Sequence, residues 1–419
     1  MKKIIFTNLS PNAEKDDILR ALNLLVRPWS WNKNEYSEKV RNWFADYLNH
    51  KNVFLTDSGR TALMLALLAM KIEEGDEVLV QAYTCVAVPN SILWVKAKPV
   101  FVDIVPETLN IDLNDARKKI SDKTKAIIVQ HTFGNPADMD MIMQFAKENN
   151  LKVIEDCAHG LGAKFNGKML GSFGDMAIFS FGRDKVVSAV FGGAVAVKDE
   201  VLADKLREEY DKFPTVGKIW TLRQLLHPII FFLAKATYDI GPVGKIIIEL
   251  AKRFGLIAKA VYSEERRAGK PNFTSKKLNN ALSKLAYFQL LKLSRFLDHR
   301  RNIAEIYRKK IVIPNVLTQL IISKAEPGYL RYFLSVDDSD SLFNYAKMHG
   351  VLLGDWYRQV IAPREVLYDK IGYVEGSCVN AEKQAKRSIN LPTHIGINRE
   401  KAETIACLIN NFYDRNTNN

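Results

Sequence analysis

VIEDCAHGLGAKFNGKMLGSFGDMAIFSFGRDKVVSAVFGG, residues 153–193, is the stretch from which the fold of this 419-residue chain is read. An apolar run over 151–154 reads as a buried strand that delivers Glu155 and Asp156 to its carboxyl end. Ser180, flanked by Phe179 and Phe181, then precedes Lys185 by five residues. A carboxylate at a strand end can face a ring nitrogen, and a lysine so placed can condense with an aldehyde cofactor.

Outward from that stretch, short apolar runs alternate with helical patterns. Strands are expected at 53–55, 77–81, 99–102, 126–129, 151–154, 176–180 and 194–197, and helices at 61–70, 88–95, 113–120 and 139–149. This is the α/β signature of a mainly parallel sheet covered by helices. Such sheets present ligand groups at the carboxyl ends of their strands and in the loops that follow, where Asp156 and Lys185 both fall. A long helical pattern over 277–308 leads into mixed strands and helices towards the end of the chain.

Composition narrows the function. Hydrophobic and charged contents of 47% and 26% suit a globular protein long enough for two domains. Cys85, Cys157, Cys378 and Cys407 lack a Cys-x-x-Cys spacing, so neither a zinc site nor a disulfide framework is expected, and no metal is assigned. The first residues carry too short an apolar run for a secretory signal, which points to a cytoplasmic protein. Net charge is +13, yet no nucleic-acid reader, Gly-x-Gly-x-x-Gly, phosphate loop or His-Glu-x-x-His motif accompanies it. More than half of that excess lies between Lys212 and Lys270, where eleven Lys/Arg against four Asp/Glu leave 11 − 4 = +7.

Glu155, Asp156, Ala158, His159, Gly167, Lys168, Gly171, Gly174, Asp175, Phe179, Ser180, Phe181 and Lys185 meet a specific pattern. It is Glu-Asp-x-Ala-Gln/His, Gly-x-Lys, Gly-x-x-Gly-Asp and Phe-Ser-Phe-x-x-x-Lys. In these residues the chain resembles the DegT/DnrJ/EryC1/StrS family of sugar aminotransferases, which depend on pyridoxal 5'-phosphate and have the type I aminotransferase fold. Weaker similarity runs from about Tyr36 to Leu408, broken by one long hydrophobic segment. The resemblance implies that Lys185 binds the cofactor aldehyde and moves protons, that Asp156 pairs with the pyridine nitrogen, and that His159 contacts the ring.

For the phosphate the resemblance implies Ser180 and the glycine turn at Ser58, Gly59 and Arg60, which opens a helix whose free amides suit an anion. Alignment puts Cys85 where the family stacks an aromatic on the cofactor, with Tyr83 as a displaced candidate. The chain departs from the family at Gly182-Arg183-Asp184, Phe191 and Ser275-Lys276-Lys277. The implied reaction moves an amino group from an amino acid, usually glutamate, to a keto-sugar on a nucleotide or lipid carrier, for polysaccharide or glycoconjugate synthesis in a homodimer. Another reaction of the same cofactor, or a non-catalytic membrane-associated regulator, are the alternatives.

The expected organisation is a cofactor-binding domain over 1–211, a hydrophobic basic helical insertion over 212–270 and a small α+β domain over 271–419. Within the insertion the uninterrupted apolar run, near 225–234, is shorter than the roughly 20 residues needed to cross a bilayer. Ile247, Leu250, Phe254, Ile257 and Val261 then recur at helical spacing, with Lys245, Lys252 and Lys259 on another face. Two readings stay open: a hairpin used internally or in dimerisation, and a peripheral dock on the anionic inner face of a membrane.

Overall fold

The computed structural model describes residues 4–7, 12–50, 52–238, 240–272, 274–313 and 316–417. Its central sheet contains β1 (Asn52–Thr56), β2 (Glu77–Gln81), β3 (Lys98–Val102), β4 (Thr124–Gln130), β5 (Lys152–Asp156), β6 (Met176–Ser180) and β7 (Gly193–Val197). They lie in the order β1-β7-β6-β5-β4-β2-β3, all parallel except β7, which runs against both its neighbours. All seven expected strands form, with ends moved by up to two residues.

Period two explains the layers. Val53, Leu55, Val153, Ala177 and Phe179 enter one buried cluster, while Phe54, Ile154, Met176 and Ile178 enter another. Both faces are therefore apolar, and helices cover both. The helices that bear on the site are α1 (Lys15–Leu25), α2 (Gly59–Ala69), α3 (Lys218–Ala236), α4 (Val243–Arg253), α5 (Asn280–Leu290) and α6 (Leu293–Lys310).

The expected single helix over 277–308 is two helices. The break falls at Leu291 and Lys292, where the Lys292 ammonium is held by Asp16 at 2.6 Å and Asp17 at 3.0 Å. A smaller antiparallel sheet of Leu317–Thr318, Tyr332–Ser335 and Ser388–Leu391 carries a separate apolar cluster shared with α6 and the closing helix Arg399–Thr417. Ile5–Phe6 pairs with Val351–Leu352, so the first described strand joins this C-terminal part and not the large sheet, where a 1–211 unit would put it.

The insertion is a helical hairpin. Along α3, Leu225, Pro228, Phe231 and Ala234 are buried, and α4 crosses closely at Gly244, where a Cβ would lie 2.4 Å from the Ala234 carbonyl oxygen. The helical spacing expected through Val261 stops at Arg253. Gly255 takes φ +63° and donates to Lys252 O at 3.0 Å, while Leu256 N–H donates to Ala251 O at 2.8 Å. This is a Schellman stop, which a glycine in the left-handed region favours. Ile257, Val261 and Lys259 consequently leave the helical stripe. No helix among the described residues is long and apolar enough to cross a membrane.

Register sets the position of everything functional. Ile178 pairs with Asp156, Ser180 with Gly193, and Gly193 with Thr56, so the ends of β1, β5 and β6 meet at one edge. A Cβ on Gly193 would stand 2.7 Å from the Ser58 carbonyl carbon and oxygen, both backbone atoms. Gly193→Ala should therefore cost about 1–3 kcal/mol by overpacking, read as a lower melting temperature in calorimetry. An unchanged melt would show that the turn after β1 yields freely.

Candidate active site

A cavity of about 710 Å³ opens at that edge. Its walls include Ser58, Gly59 and Arg60 after β1, Asp156 and His159 after β5, and Ser180 and Lys185 after β6. The sheet thus brings together eight of the nine residues singled out from sequence, Cys85 included.

Tyr83 is the exception. Its left-handed backbone (φ 64°) turns it away from the cavity before the short strand Thr84–Cys85 begins. The ring is buried, donates its hydroxyl to Ser388 Oγ at 2.8 Å and stands edge-on to Tyr357. Cys85 faces the cavity instead, and burial pushes its thiol pKa up.

One end of the cavity is built for an anion. Ser58 caps α2, its hydroxyl donating to Asp57 Oδ1 at 2.7 Å and accepting the Thr61 N–H at 3.4 Å. Ser180 Oγ accepts the Gly182 N–H at 3.3 Å. It lies so near α2 that a Cβ on Gly59 would come within 3.2 Å of it. The absence of a side chain at Gly59 leaves a cradle between a serine hydroxyl and a helix N-terminus. Arg60 lines the same end, but its guanidinium pairs with buried Glu265 and donates to Ala260 O at 2.8 Å, so the insertion engages it.

Beyond the cradle lie the titratable groups. One Asp156 oxygen accepts the Ala158 N–H at 2.9 Å. Burial raises the Asp156 pKa, opposed by that hydrogen bond and by the Lys185 charge. Burial lowers the Lys185 pKa, with Asp156 pulling the other way. Its loop is held from behind by Asn12, whose side-chain amide donates to the Lys185 and Val186 carbonyls and accepts from buried Arg300 at 2.9 Å.

His159 is neutral, because burial takes its pKa well below the usual imidazole value. Its Nδ1 accepts the Phe133 N–H at 3.3 Å, which leaves the ring proton on Nε2, 3.3 Å from the Tyr357 hydroxyl. The ring lies between Phe133 and Trp356, within about 11° of parallel to both. Trp356 was not legible in the sequence. Its indole centre is 5.1 Å from Lys185 Nζ and 5.3 Å from the Arg331 guanidinium carbon. Arg358 and Arg364 from the same C-terminal loops, Arg183 after β6, and Arg266 add further positive charge to the lining. No local motif marks them; only the run Gly354-Asp355-Trp356-Tyr357-Arg358, mixing turn formers with aromatics, hints at a loop with a task.

Sequence comparison identifies this arrangement. The model of the DegT/DnrJ/EryC1/StrS aminotransferase family matches residues 12–224 and 246–410, and the chain belongs to that family. It is 30% identical over 394 residues to the GDP-perosamine synthase of Escherichia coli O157:H7, covering 92% of each chain. It is 27% identical to a pleiotropic regulatory protein of Geobacillus stearothermophilus, covering 95% of each. The aminotransferase TlmJ from Streptoalloteichus hindustanus shares the fold, with a TM-score of 0.75 at 20% identity over 97% of this chain and 98% of that one.

The cofactor of the family is pyridoxal phosphate, and the cavity fits it. The Gly59 cradle suits a phosphate, the Asp156 carboxylate a ring nitrogen, and the Lys185 amine an aldehyde.

Asp57, buried behind the cradle, supplies a pH test. Burial lifts its carboxyl to about 7, whereas an unfolded aspartate ionises near ~4. As pH rises through that window the unfolded state ionises first, so this group subtracts stability progressively and fully above about 7. In cofactor-free protein, Asp57→Asn should flatten the decline of melting temperature between about pH 5 and 8. Parallel profiles for variant and wild type would contradict the shift.

Proposed function

We propose that this enzyme transfers the amino group of glutamate to a keto-sugar held on a diphosphate-linked carrier, as a step in polysaccharide or glycoconjugate synthesis. The observation that carries the reading is the convergence of Lys185, Asp156 and the Gly59–Ser180 cradle on one cavity. Membership of the aminotransferase family supports it, as does the similarity to a GDP-perosamine synthase. Glutamate leaves as 2-oxoglutarate. The water consumed in that half is balanced by the water released when the sugar's keto oxygen is replaced, so no oxidant or reductant is required.

Bound pyridoxal phosphate supplies an electron sink for the carbon that loses its proton. Lys185 Nζ takes the proton from the donor's α-carbon and returns it, a task that burial assists by holding its pKa down. Asp156 keeps a proton on the ring nitrogen through charge pairing in a site shielded from water. Neutral His159, fixed by the Phe133 N–H and the Tyr357 hydroxyl, would border the bound ring. Ser180, the Gly59 amide and the start of α2 hold the phosphate.

In this reading the working form is a homodimer in the cytoplasm, and the α3–α4 hairpin docks peripherally on an anionic membrane surface. Its outward residues Ile246, Leu250 and Phe254 and the basic excess of the 212–270 segment support docking.

Borohydride treatment of protein saturated with pyridoxal phosphate should leave a cofactor adduct on the peptide carrying Lys185, detected by mass. An adduct on another lysine would displace this residue from its role. Mixing the holoenzyme with glutamate in a stopped-flow spectrometer should shift the cofactor absorbance within one half-reaction. Asp156→Asn should slow that change by about 100-fold or more, the scale of losing a key electrostatic partner. An equal rate would remove Asp156 from the chemistry.

A further inference from the structure

We propose that the acceptor sugar is presented from a membrane on an isoprenoid diphosphate, and that the α3–α4 hairpin forms both the bilayer dock and one wall of the acceptor site. This rests on the aminotransferase reading above and names the carrier that it leaves open.

The family model omits residues 225–245, which span the apolar half of α3 and the turn into α4. The hairpin that starts in this unmatched stretch and continues into the matched residues from 246 onward is two-sided. Val243, Ile246 and Leu250 on α4 and Phe254 at its C-terminal cap follow helical spacing and point outward, with Phe254 70% exposed. The opposite contact, through Gly244 and Ala251, is buried. Ile240 and Leu256 extend the exposed apolar surface at either end of the helix, and Phe232 and Leu233 add to it from α3.

Immediately after the Schellman stop at Gly255 the chain turns inward. Ile257 is buried with Phe231 in a small apolar cluster, and both line the active-site cavity. Arg183 donates to Ala258 O at 2.8 Å and Arg60 to Ala260 O at 2.8 Å, so two cavity arginines pin this strand of chain in place. Outer face and inner wall are therefore three residues apart, Phe254 outside and Ile257 inside.

The wall has the chemistry of an amphiphile. Phe231, Ile257 and Val261 give an apolar track, and Lys252, Lys259 and Arg266 reach the same rim, where Lys252 pairs with Glu249 and Arg266 with Glu365, two exposed carboxylates that a diphosphate can replace. A diphosphate meets the cations, the isoprenoid chain follows the track towards the exposed face, and the sugar points to Lys185. Charge selects a bilayer over a second copy as the occupant of the outer face. The 212–270 segment carries +7, so an isologous contact would set like charges against each other, whereas anionic lipid complements them.

The test has independent arms on the holoenzyme. Flotation should succeed with phosphatidylglycerol vesicles and fail with phosphatidylcholine vesicles, and Leu250→Ser with Phe254→Ser should lower the floated fraction at least fivefold. Titration with farnesyl diphosphate, GDP, UDP and inorganic diphosphate, followed by tryptophan fluorescence, should give at least tenfold tighter binding of farnesyl diphosphate. Ile257→Ser with Val261→Ser should erase that preference. GDP or UDP binding as tightly as farnesyl diphosphate would overturn the proposal in favour of a soluble carrier. Wild type that ignores both vesicles but loses dimerisation on Leu250→Ser with Phe254→Ser would overturn it in favour of a self-interface. Failure of the glutamate half-reaction in wild type would instead sink the aminotransferase reading, a result neither binding arm can produce.

Discussion

Three strand ends brought into backbone contact fix this molecule's site. Ser180, Gly193 and the Ser58–Gly59 turn lie so close that neither glycine has room for a Cβ. The closeness comes from register: antiparallel β7 fills the gap between β1 and β6, and its first residue falls opposite the last residue of each. With those ends together, the N-terminus of α2 and the Ser180 hydroxyl face one point, and an anion cradle results without any dedicated basic loop. Arg60, the one strong cation at that turn, is then available to anchor the insertion.

The cradle would hold little chemistry without the buried charges beyond it. Asp156 and Lys185 each lose hydration, and each partly offsets the other's loss. The balance leaves a lysine more easily deprotonated than one in water and a carboxylate more easily protonated. The lysine loop owes its position to Asn12 and Arg300, which tie it to the start of the chain and to α6. Residues far apart in sequence thus set the height of one amine in the cavity. Trp356, from the C-terminal part, lines the same cavity and stacks on His159. The site consequently depends on the two parts of the protomer keeping their relative placement.

The insertion shows how a single backbone stop can divide a hydrophobic segment between two environments. Read as a continuous helix, Phe254 and Ile257 would share one stripe. Gly255 ends the helix, and the residues on either side of it then face opposite ways: Phe254 to the outside, Ile257 to the cavity. Apolar content of the segment says nothing about which residue goes where. The left-handed glycine and its two hydrogen bonds do.

Much was nevertheless written in the chain itself. Alternating apolar residues specify each strand of the large sheet, because a period of two is a local property that burial on both faces only reinforces. The Glu-Asp-x-Ala-His and Phe-Ser-Phe-x-x-x-Lys patterns marked Asp156, His159, Ser180 and Lys185, since those side chains hang from strand ends whose direction follows from the strands. Tertiary structure alone turned Tyr83 away from the cavity, committed Arg60 to Glu265, brought in Trp356 and split the helix at Lys292. Each of these depends on a partner distant in sequence or on a single φ angle. Hydrophobic periodicity is a sum over neighbouring residues and carries no information about either.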